Sequence, residues 1–219
     1  MSVASQSVDK VRASRDGHEY HEAWAARKAM QLLFPHDDLV GIAVEGREPA
    51  DQRNVSAPTA EVADLTLYHG KGPTFQSAQR VAILQFKYSV AGKNKPFRAA
   101  EAKETIAKFA AAYRDHKKHH SAKAVASKLR FELITNRPAH PNFEKAVHLL
   151  AKGRAGFGDC KKQMKQVREA SGLSGRALAD FARMFTITGL AGTLTDSKRD
   201  LSITLVDWSP SPHVRAYGD

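Results

Sequence analysis

The sequence predicts an α/β fold in which a central mixed β-sheet is flanked by helices. Two observations favour this class. Short apolar runs, some alternating with a period of two, stand between longer segments of helical spacing, and the order is helix, three strands, helix, strand and further helices. A chain of 219 residues with 42% hydrophobic residues is also long enough to bury a core of ordinary size.

The elements are predicted from local patterns along the chain. The first helix ends before Pro35, which cannot continue a helix, and a later one opens at Pro96. Strands are predicted at 39–44, 62–68, 80–89 and 129–135, with a loop at 46–60. Helices are predicted at 14–34, 97–118, 142–151, 160–170 and 174–184, with Trp24, Phe109 and Tyr113 in the core.

Residues 195–207 fit two interpretations. Leu201, Ile203 and Leu205 alternate as in a strand, whereas Thr195-Asp196 could cap a helix. The pattern alone leaves both open.

The charge is strongly positive and unevenly distributed. Lys and Arg number 34 against 23 Asp and Glu, a net charge of +11. Residues 1–64 carry 7 basic and 11 acidic side chains (net −4), whereas residues 86–130 carry 12 and 3 (net +9). This division suits carboxylates that hold a metal beside a surface that holds phosphates, although a solvated surface is the simpler alternative.

Several classes are excluded by composition. No stretch approaches the roughly 18–20 apolar residues of a membrane span, and the N-terminal segment has no apolar core typical of a signal peptide. The single cysteine, Cys160, cannot form an internal disulfide or a multi-cysteine zinc module. We therefore expect a cytoplasmic protein with no membrane partner.

Three polar residues stand within predicted strands whose other residues are mainly apolar. Asp64 lies on one strand, and Gln85 and Lys87 lie on the next, on one face because side chains alternate. Glu45 ends the strand before both. Carboxylate and amide oxygens are ligands that Mg²⁺ prefers, and a nearby lysine can orient a water molecule. This combination is typical of phosphodiester hydrolysis.

Asp64 followed by Gln85-x-Lys87 resembles the core of PD-(D/E)XK nucleases, in the variant with glutamine in place of the second acid. Further segments follow in the order seen in effector nucleases of bacterial anti-phage systems, both cyclic-oligonucleotide-activated effectors and nuclease domains fused to STAND-type NTPases. These segments are Arg15-Asp16-Gly17-His18-Glu19-Tyr20, Ala43-Val44-Glu45, Leu133-Ile134-Thr135-Asn136, the run at 186–195 and Val206-Asp207-Trp208-Ser209. The chain departs from the family pattern in that no proline precedes Asp64 and Gln85 is neutral.

The resemblance implies a restriction-endonuclease-like core and a metal-dependent DNA endonuclease. Asp64, Gln85 and the Phe86 carbonyl would hold Mg²⁺ or Mn²⁺, and Lys87 would orient the attacking water. Glu45 and Glu22 are further candidate acidic residues. No segment resembles a base-reading element, so we expect low sequence specificity. No motif reads a 2′-hydroxyl group either, so the residues favour neither DNA nor RNA, and double-stranded DNA is expected from the family.

The expected partners and organisation follow from the same resemblance. Basic residues after the third strand are expected to contact the phosphate backbone: Lys93, Lys95, Arg98 and Lys103. We expect a flexible segment at 1–13, a nuclease domain at 14–208 and a linker at 209–219 that leads to a sensor or NTPase domain. A homo-oligomer is also expected.

Competing interpretations concern both activity and metal chemistry. The chain could be a catalytically inactive nucleic-acid-binding or oligomerisation module of the same fold. A stand-alone restriction enzyme is disfavoured because 219 residues leave no room for a target-recognition domain. His18 and His21 lack further zinc ligands in the sequence. The cluster of His116, His119 and His120 is expected to be a solvated or phosphate-facing helix end.

Overall fold

A computed structural model describes the backbone of residues 3–33, 38–46 and 63–208, and the side chains of residues 15–33, 38–46 and 63–206. The strands are β1 (Leu39–Val44), β2 (Leu65–Gly70), β3 (Ala78–Lys87), β4 (Leu129–Thr135) and β5 (Phe185–Thr188). The helices are α1 (Val3–Gln31), α2 (Lys103–His119), α3 (Ala122–Lys128), α4 (Pro141–Ala151), α5 (Gly158–Ser171), α6 (Gly175–Met184) and α7 (Leu194–Trp208).

The five strands form one mixed sheet in the order β1-β2-β3-β4-β5. The first three strands pair antiparallel, whereas β3, β4 and β5 run parallel. The crossover from β3 to β4 passes through α2 and α3. Helices cover both faces, which confirms the predicted α/β class.

Alternation along β3 assigns its side chains to two separate cores. Val81 and Ile83 belong to a large apolar cluster shared with α2, α4, α5 and α6. Leu84 and Phe86 point to the opposite face, where they join Tyr20 and Trp24 of α1 in a smaller cluster. Because β3 is central in the sheet, both faces of it are buried, as in other strands that continue into parallel pairing.

The last helix packs along the first and resolves the ambiguity at 195–207 in favour of a helix. The Asp200 carboxylate accepts a hydrogen bond from Arg27 at 2.9 Å. At the start of α7, Thr193 Oγ1 accepts from Asp196 N at 3.2 Å, and Asp196 Oδ2 accepts from Thr193 N at 2.8 Å. This reciprocal arrangement is a capping box, so the helix is capped by Thr193 and not by residues 195–196.

Several predicted elements are confirmed. The strands at 39–44 and 129–135 have the expected bounds, and the three helices expected at 142–151, 160–170 and 174–184 begin and end within two residues of α4, α5 and α6. The predicted core residues Trp24, Phe109 and Tyr113 are buried. None of the helices within the described residues combines the length and apolar character that crossing a bilayer requires.

Other predictions are wrong at their boundaries. The helix expected to open at Pro96 begins at Lys103, because Phe97 instead pairs with the segment after β4: Phe97 N donates to Pro138 O at 2.8 Å. The strand expected at 62–68 is Leu65–Gly70, and that at 80–89 is Ala78–Lys87. The first helix begins at Val3 and ends at Gln31, and α3 and β5 were not predicted. The predicted loop at 46–60 lies outside the described residues except for Gly46.

Candidate functional site

One end of the sheet gathers the polar residues that the sequence singles out. The register pairs Val44 with Leu65 and Leu65 with Leu84, so the end of β1, the start of β2 and the last part of β3 coincide. The parallel pairing of β3 with β4 continues to Lys87 and Thr135. We refer to this edge as the Asp64 end of the sheet.

Asp64 connects the three antiparallel strands at this end. Its backbone N donates to Leu84 O at 3.0 Å, and its backbone O accepts from Glu45 N at 2.9 Å. Its carboxylate Oδ2 accepts a hydrogen bond from Phe86 N at 2.6 Å. Where β2 separates from β3, the Asp64 carboxylate thus accepts the Phe86 N–H that a backbone carbonyl would otherwise accept. Asp64 therefore precedes the strand, and its predicted position within a strand is wrong.

The Asp64 carboxylate keeps one oxygen for other ligands. Oδ1 accepts no hydrogen bond from any described residue, and the side chain is 19% exposed. A carboxylate can accept about four hydrogen bonds or metal contacts, so the bond to Phe86 does not exhaust it. Among the described residues, Asp64 is consequently both a structural cap and a carboxylate with one oxygen available to a further ligand.

Gln85 and Lys87 lie two residues apart on β3 and share the face that carries Ile83. Gln85 is only 7% exposed, yet its carboxamide makes no hydrogen bond with the described residues. Lys87 is partly buried and forms no ion pair with them. Its polar atoms are not among the fully buried, unpartnered atoms of the described residues, so the amide is not a desolvated orphan. Its oxygen can serve as an acceptor or ligand atom.

His21 on α1 is a site residue that the sequence interpretation missed. Its Nδ1 lies 3.7 Å from Asp64 Oδ2, and its ring centroid is 5.2 Å from that of Phe86. Burial lowers the His21 pKa; Asp64 and Glu45 act in the opposite direction, and the charges of His18 and Lys87 lower it further. The neutral imidazole is therefore favoured. The sequence does offer a signal for His21, because it follows Tyr20 and therefore lies at the border of the buried face of α1.

The two additional acidic candidates lie in different positions. Glu45 follows β1 in a left-handed conformation (φ 50°), hydrogen-bonds Asp64 through its backbone, and is close enough for its charge to act on His21. Glu22 is exposed on α1 and makes no hydrogen bond or ion pair with the described residues. The structure thus brings Glu45 to the Asp64 end but gives Glu22 no contact with Asp64.

Asn136 fixes the chain that leaves β3. Its Oδ1 accepts from Ser89 N at 3.0 Å, and its Nδ2 donates to Ser89 O at 2.8 Å. The neighbouring Arg137 donates to Lys95 O at 2.8 Å and pairs with Glu101. The segment after β4 therefore holds the basic loop 88–102 against the Asp64 end of the sheet.

The basic segment divides between the two ends of the sheet. Lys93 and Lys95 lie in the loop after β3, at the Asp64 end, and with Lys103 they are exposed and form no ion pair with the described residues. Arg98 in the same loop pairs with Asp159 at 3.4 Å. By contrast, α2 runs back along the sheet, so Lys117 and Lys118 lie at the far end. Only the first part of the segment adjoins Asp64.

The expected solvated histidine cluster at the end of α2 is partly wrong. His116 is 4% exposed and packs its ring against Phe75 at a centroid distance of 4.5 Å. His120 packs on the same ring at 4.2 Å, while His119 is exposed and lies 3.8 Å from Asp115. His116 is therefore buried and not solvated, whereas His119 is exposed as expected.

The groups at the Asp64 end that could bind a metal ion are a carboxylate oxygen and a carboxamide oxygen. Within the described ranges no group of three or more His, Cys, Asp or Glu side chains is placed to hold a metal ion. Asp64 supplies one carboxylate and Gln85 one carboxamide. Mg²⁺ commonly keeps several waters and uses only one or two carboxylates from the protein, so this donor set fits a weakly held hydrated cation.

No protein-family model matches the sequence, and no curated protein matches it. The function is therefore inferred from the geometry of the Asp64 end.

Proposed function

We propose that the chain is a metal-dependent endonuclease with low sequence specificity, acting on double-stranded DNA as the effector domain of an anti-phage system. One observation carries the proposal. Asp64, whose Oδ1 accepts no hydrogen bond from the described residues, directly precedes the β2 residue that pairs with Leu84, and Gln85 and Lys87 follow Leu84 on one face of β3. The same strand order also supports a restriction-endonuclease-like core.

Each of these residues has a separate role in the proposed phosphodiester hydrolysis. Asp64 Oδ1, the Gln85 carboxamide oxygen and the Phe86 carbonyl would hold Mg²⁺ or Mn²⁺. The bound cation supplies positive charge that polarises the scissile phosphate. Lys87 donates a hydrogen bond to the attacking water and offsets the negative charge that develops on the phosphate oxygens. Glu45 adds negative charge beside this site, which favours cation binding.

The surrounding residues position the machinery and the substrate. His21, in its neutral form, packs on Phe86 and lies beside Asp64, so it restricts where the carboxylate can turn. Lys93, Lys95 and Lys103 offer unpaired cations next to the Asp64 end, where they can contact the DNA backbone without reading its sequence. Arg98 would have to leave Asp159 to take part.

A non-catalytic module of the same fold is the second candidate, because the Asp64 carboxylate also has a purely structural partner in Phe86 N. Such a module needs Asp64 as a cap but has no use for the ammonium group of Lys87. The two proposals therefore differ in what happens when Lys87 alone is changed.

The test is cleavage of a supercoiled plasmid with Mg²⁺ or Mn²⁺ by the wild type, Lys87→Ala and Asp64→Asn. Lys71→Ala is the matched control, because Lys71 is exposed in the turn after β2, at the opposite end of the sheet. We expect the wild type and Lys71→Ala to cut in a metal-dependent way and the other two variants to lose activity at least about 100-fold. Equal cutting by all four proteins would exclude the assigned site.

If no protein cuts, metal binding distinguishes the two candidates. Isothermal titration of the wild type and Asp64→Asn with Mn²⁺ should then show a site that depends on Asp64. Binding by neither protein would support the non-catalytic module and contradict the nuclease proposal.

A further inference from the structure

A cavity with a mainly apolar lining and a basic rim lies on the helical side of the molecule, around α5. It has a volume of about 560 Å³, and every charged side chain that lines it is basic: Lys161, Lys162, Lys165 and Arg168. Lys165 pairs with Glu169 at 3.7 Å. The other three cations form no ion pair with the described residues. This volume lies in the range of small-molecule sites that hold a ligand the size of a nucleotide.

The floor of the cavity is apolar and closely packed. Met164, which lines the cavity, is 6% exposed, and Cys160 nearby is 4% exposed. A Cβ atom at Gly156 would lie 2.7 Å from Met164 Sδ and 3.2 Å from Cys160 Sγ. A side chain at this position would therefore require Met164 to shift.

An exposed aromatic residue, Phe157, lies in the chain between two glycines that line the cavity. Phe157 follows Gly156 and precedes Gly158, whose φ of 54° is one that glycine adopts without strain. The Phe157 side chain is 86% exposed, the highest value among the large hydrophobic residues described. A single exposed phenylalanine is ordinary on a protein surface. Here its two neighbours in the chain line a cavity that has an apolar surface and three cations without an ion pair among the described residues. An aromatic residue together with cations is the combination that binds a base and its phosphate.

We propose that this cavity binds a nucleotide unit, with the phosphate on Lys161, Lys162 and Arg168 and the base against Phe157 and Met164. The unit can belong to a single-stranded nucleic acid or to a free nucleotide, since both present the same chemistry. The site requires neither a metal nor Asp64, so it is independent of the proposed nuclease activity.

The position of α5 gives the cavity a connection to the rest of the molecule. Ala99 N donates to Gln163 Oε1 at 3.0 Å, and Arg98 pairs with Asp159. The first turns of α5 thus contact the basic loop after β3.

The experiment measures fluorescence anisotropy of a labelled single-stranded DNA of about 12 nucleotides, a length in the range that such grooves hold. EDTA is present throughout, so cleavage and metal binding do not contribute. The proteins are the wild type, Phe157→Ala and the double variant Lys161→Ala/Lys162→Ala. Lys117→Ala/Lys118→Ala is the matched control, as it removes two adjacent helix lysines at the far end of the sheet.

We expect the dissociation constant to rise at least about 5-fold for Phe157→Ala and for the Lys161/Lys162 double variant, with less than about a 2-fold change for the control. The Tm of thermal unfolding should be the same for all variants as for the wild type, since the substituted side chains are exposed or lie at the cavity rim. Equal weakening by both double variants would show a diffuse charge effect and overturn the site. An unaffected Phe157→Ala would overturn base recognition.

Competition identifies the source of the nucleotide. Displacement of the labelled strand by dAMP supports a free nucleotide, and displacement by unlabelled strand alone supports a nucleic acid. Displacement by inorganic phosphate as effectively as by dAMP would reduce the cavity to an anion site and contradict the proposal.

Discussion

Replacing Asp64 by asparagine separates its two roles, because asparagine keeps an acceptor oxygen for Phe86 N but loses the negative charge. A hydrogen bond to a charged acceptor contributes about 1.5–3 kcal/mol and a neutral one about 0.5–1.5 kcal/mol, so the expected destabilisation is about 1 kcal/mol. For a chain of this size that corresponds to a fall in Tm of about 2–4 °C. Alanine would instead leave Phe86 N without a partner and cost about 1–3 kcal/mol more, which makes it the less informative variant.

The assay is thermal unfolding with and without Mg²⁺. If Mg²⁺ is present at ten times its dissociation constant, binding stabilises the native state by about 1.4 kcal/mol, so the wild-type Tm should rise by about 3–5 °C. Asp64→Asn should show no such rise. Asp38→Asn is the matched control, because Asp38 also precedes a strand and also lies beside a histidine, but at the opposite end of the sheet; unlike Asp64, it hydrogen-bonds that histidine, His69, at 2.7 Å.

Two results would refute this reasoning. An Mg²⁺-dependent rise in Tm that survives in Asp64→Asn would show that the cation binds elsewhere. Failure of Asp64→Asn to fold would show that its charge is needed for the native structure, so that a loss of cleavage could not be assigned to a metal ligand.

Three further changes test the surroundings of the site. His21→Ala should lower metal-dependent cleavage about 10-fold or more, as is typical when a group that supports a metal ligand is removed, whereas Arg15→Ala, an exposed residue of the same helix, should retain activity; equal loss would argue against a positioning role. Asn136→Ala should destabilise the fold by about 1–3 kcal/mol in a urea titration, because a buried group with two backbone hydrogen bonds is lost; no change would show that the chain after β3 is held by other contacts. The backbone N–H and then the hydroxyl of Thr193 hold the pKa of Asp196 below its ordinary value of 3.8, so its contribution to stability is present above that value and is lost as the pH falls through the lowered pKa. The Tm advantage of the wild type over Asp196→Asn should therefore shrink in acid, and a constant difference would contradict the capping box.

Local sequence patterns account for the parts of the fold that depend on near neighbours. The continuous apolar run at 129–135 becomes β4 with the predicted bounds, since a run buried on both faces has few alternatives. The period of two likewise places Gln85 and Lys87 on one face of β3. Both inferences need only the geometry of a single strand.

Contacts between distant segments decided what the local patterns could not. The segment at Phe97 has helical spacing but pairs with the chain after β4, so α2 starts at Lys103. The short β5 forms because β4 offers it an edge, although its four residues carry little signal of their own. Residues 195–207 became a helix through packing on α1.

The candidate site shows the same division. The sequence by itself determined which residue types stand near the ends of β2 and β3, and therefore that a carboxylate, an amide and a lysine could meet. Only the tertiary structure decided that Asp64 caps Phe86 N outside its strand, that His21 of α1 reaches the carboxylate, and that Glu22 does not contact it. The physical reason is that side-chain spacing within an element is fixed by its period, whereas proximity between elements depends on register and packing.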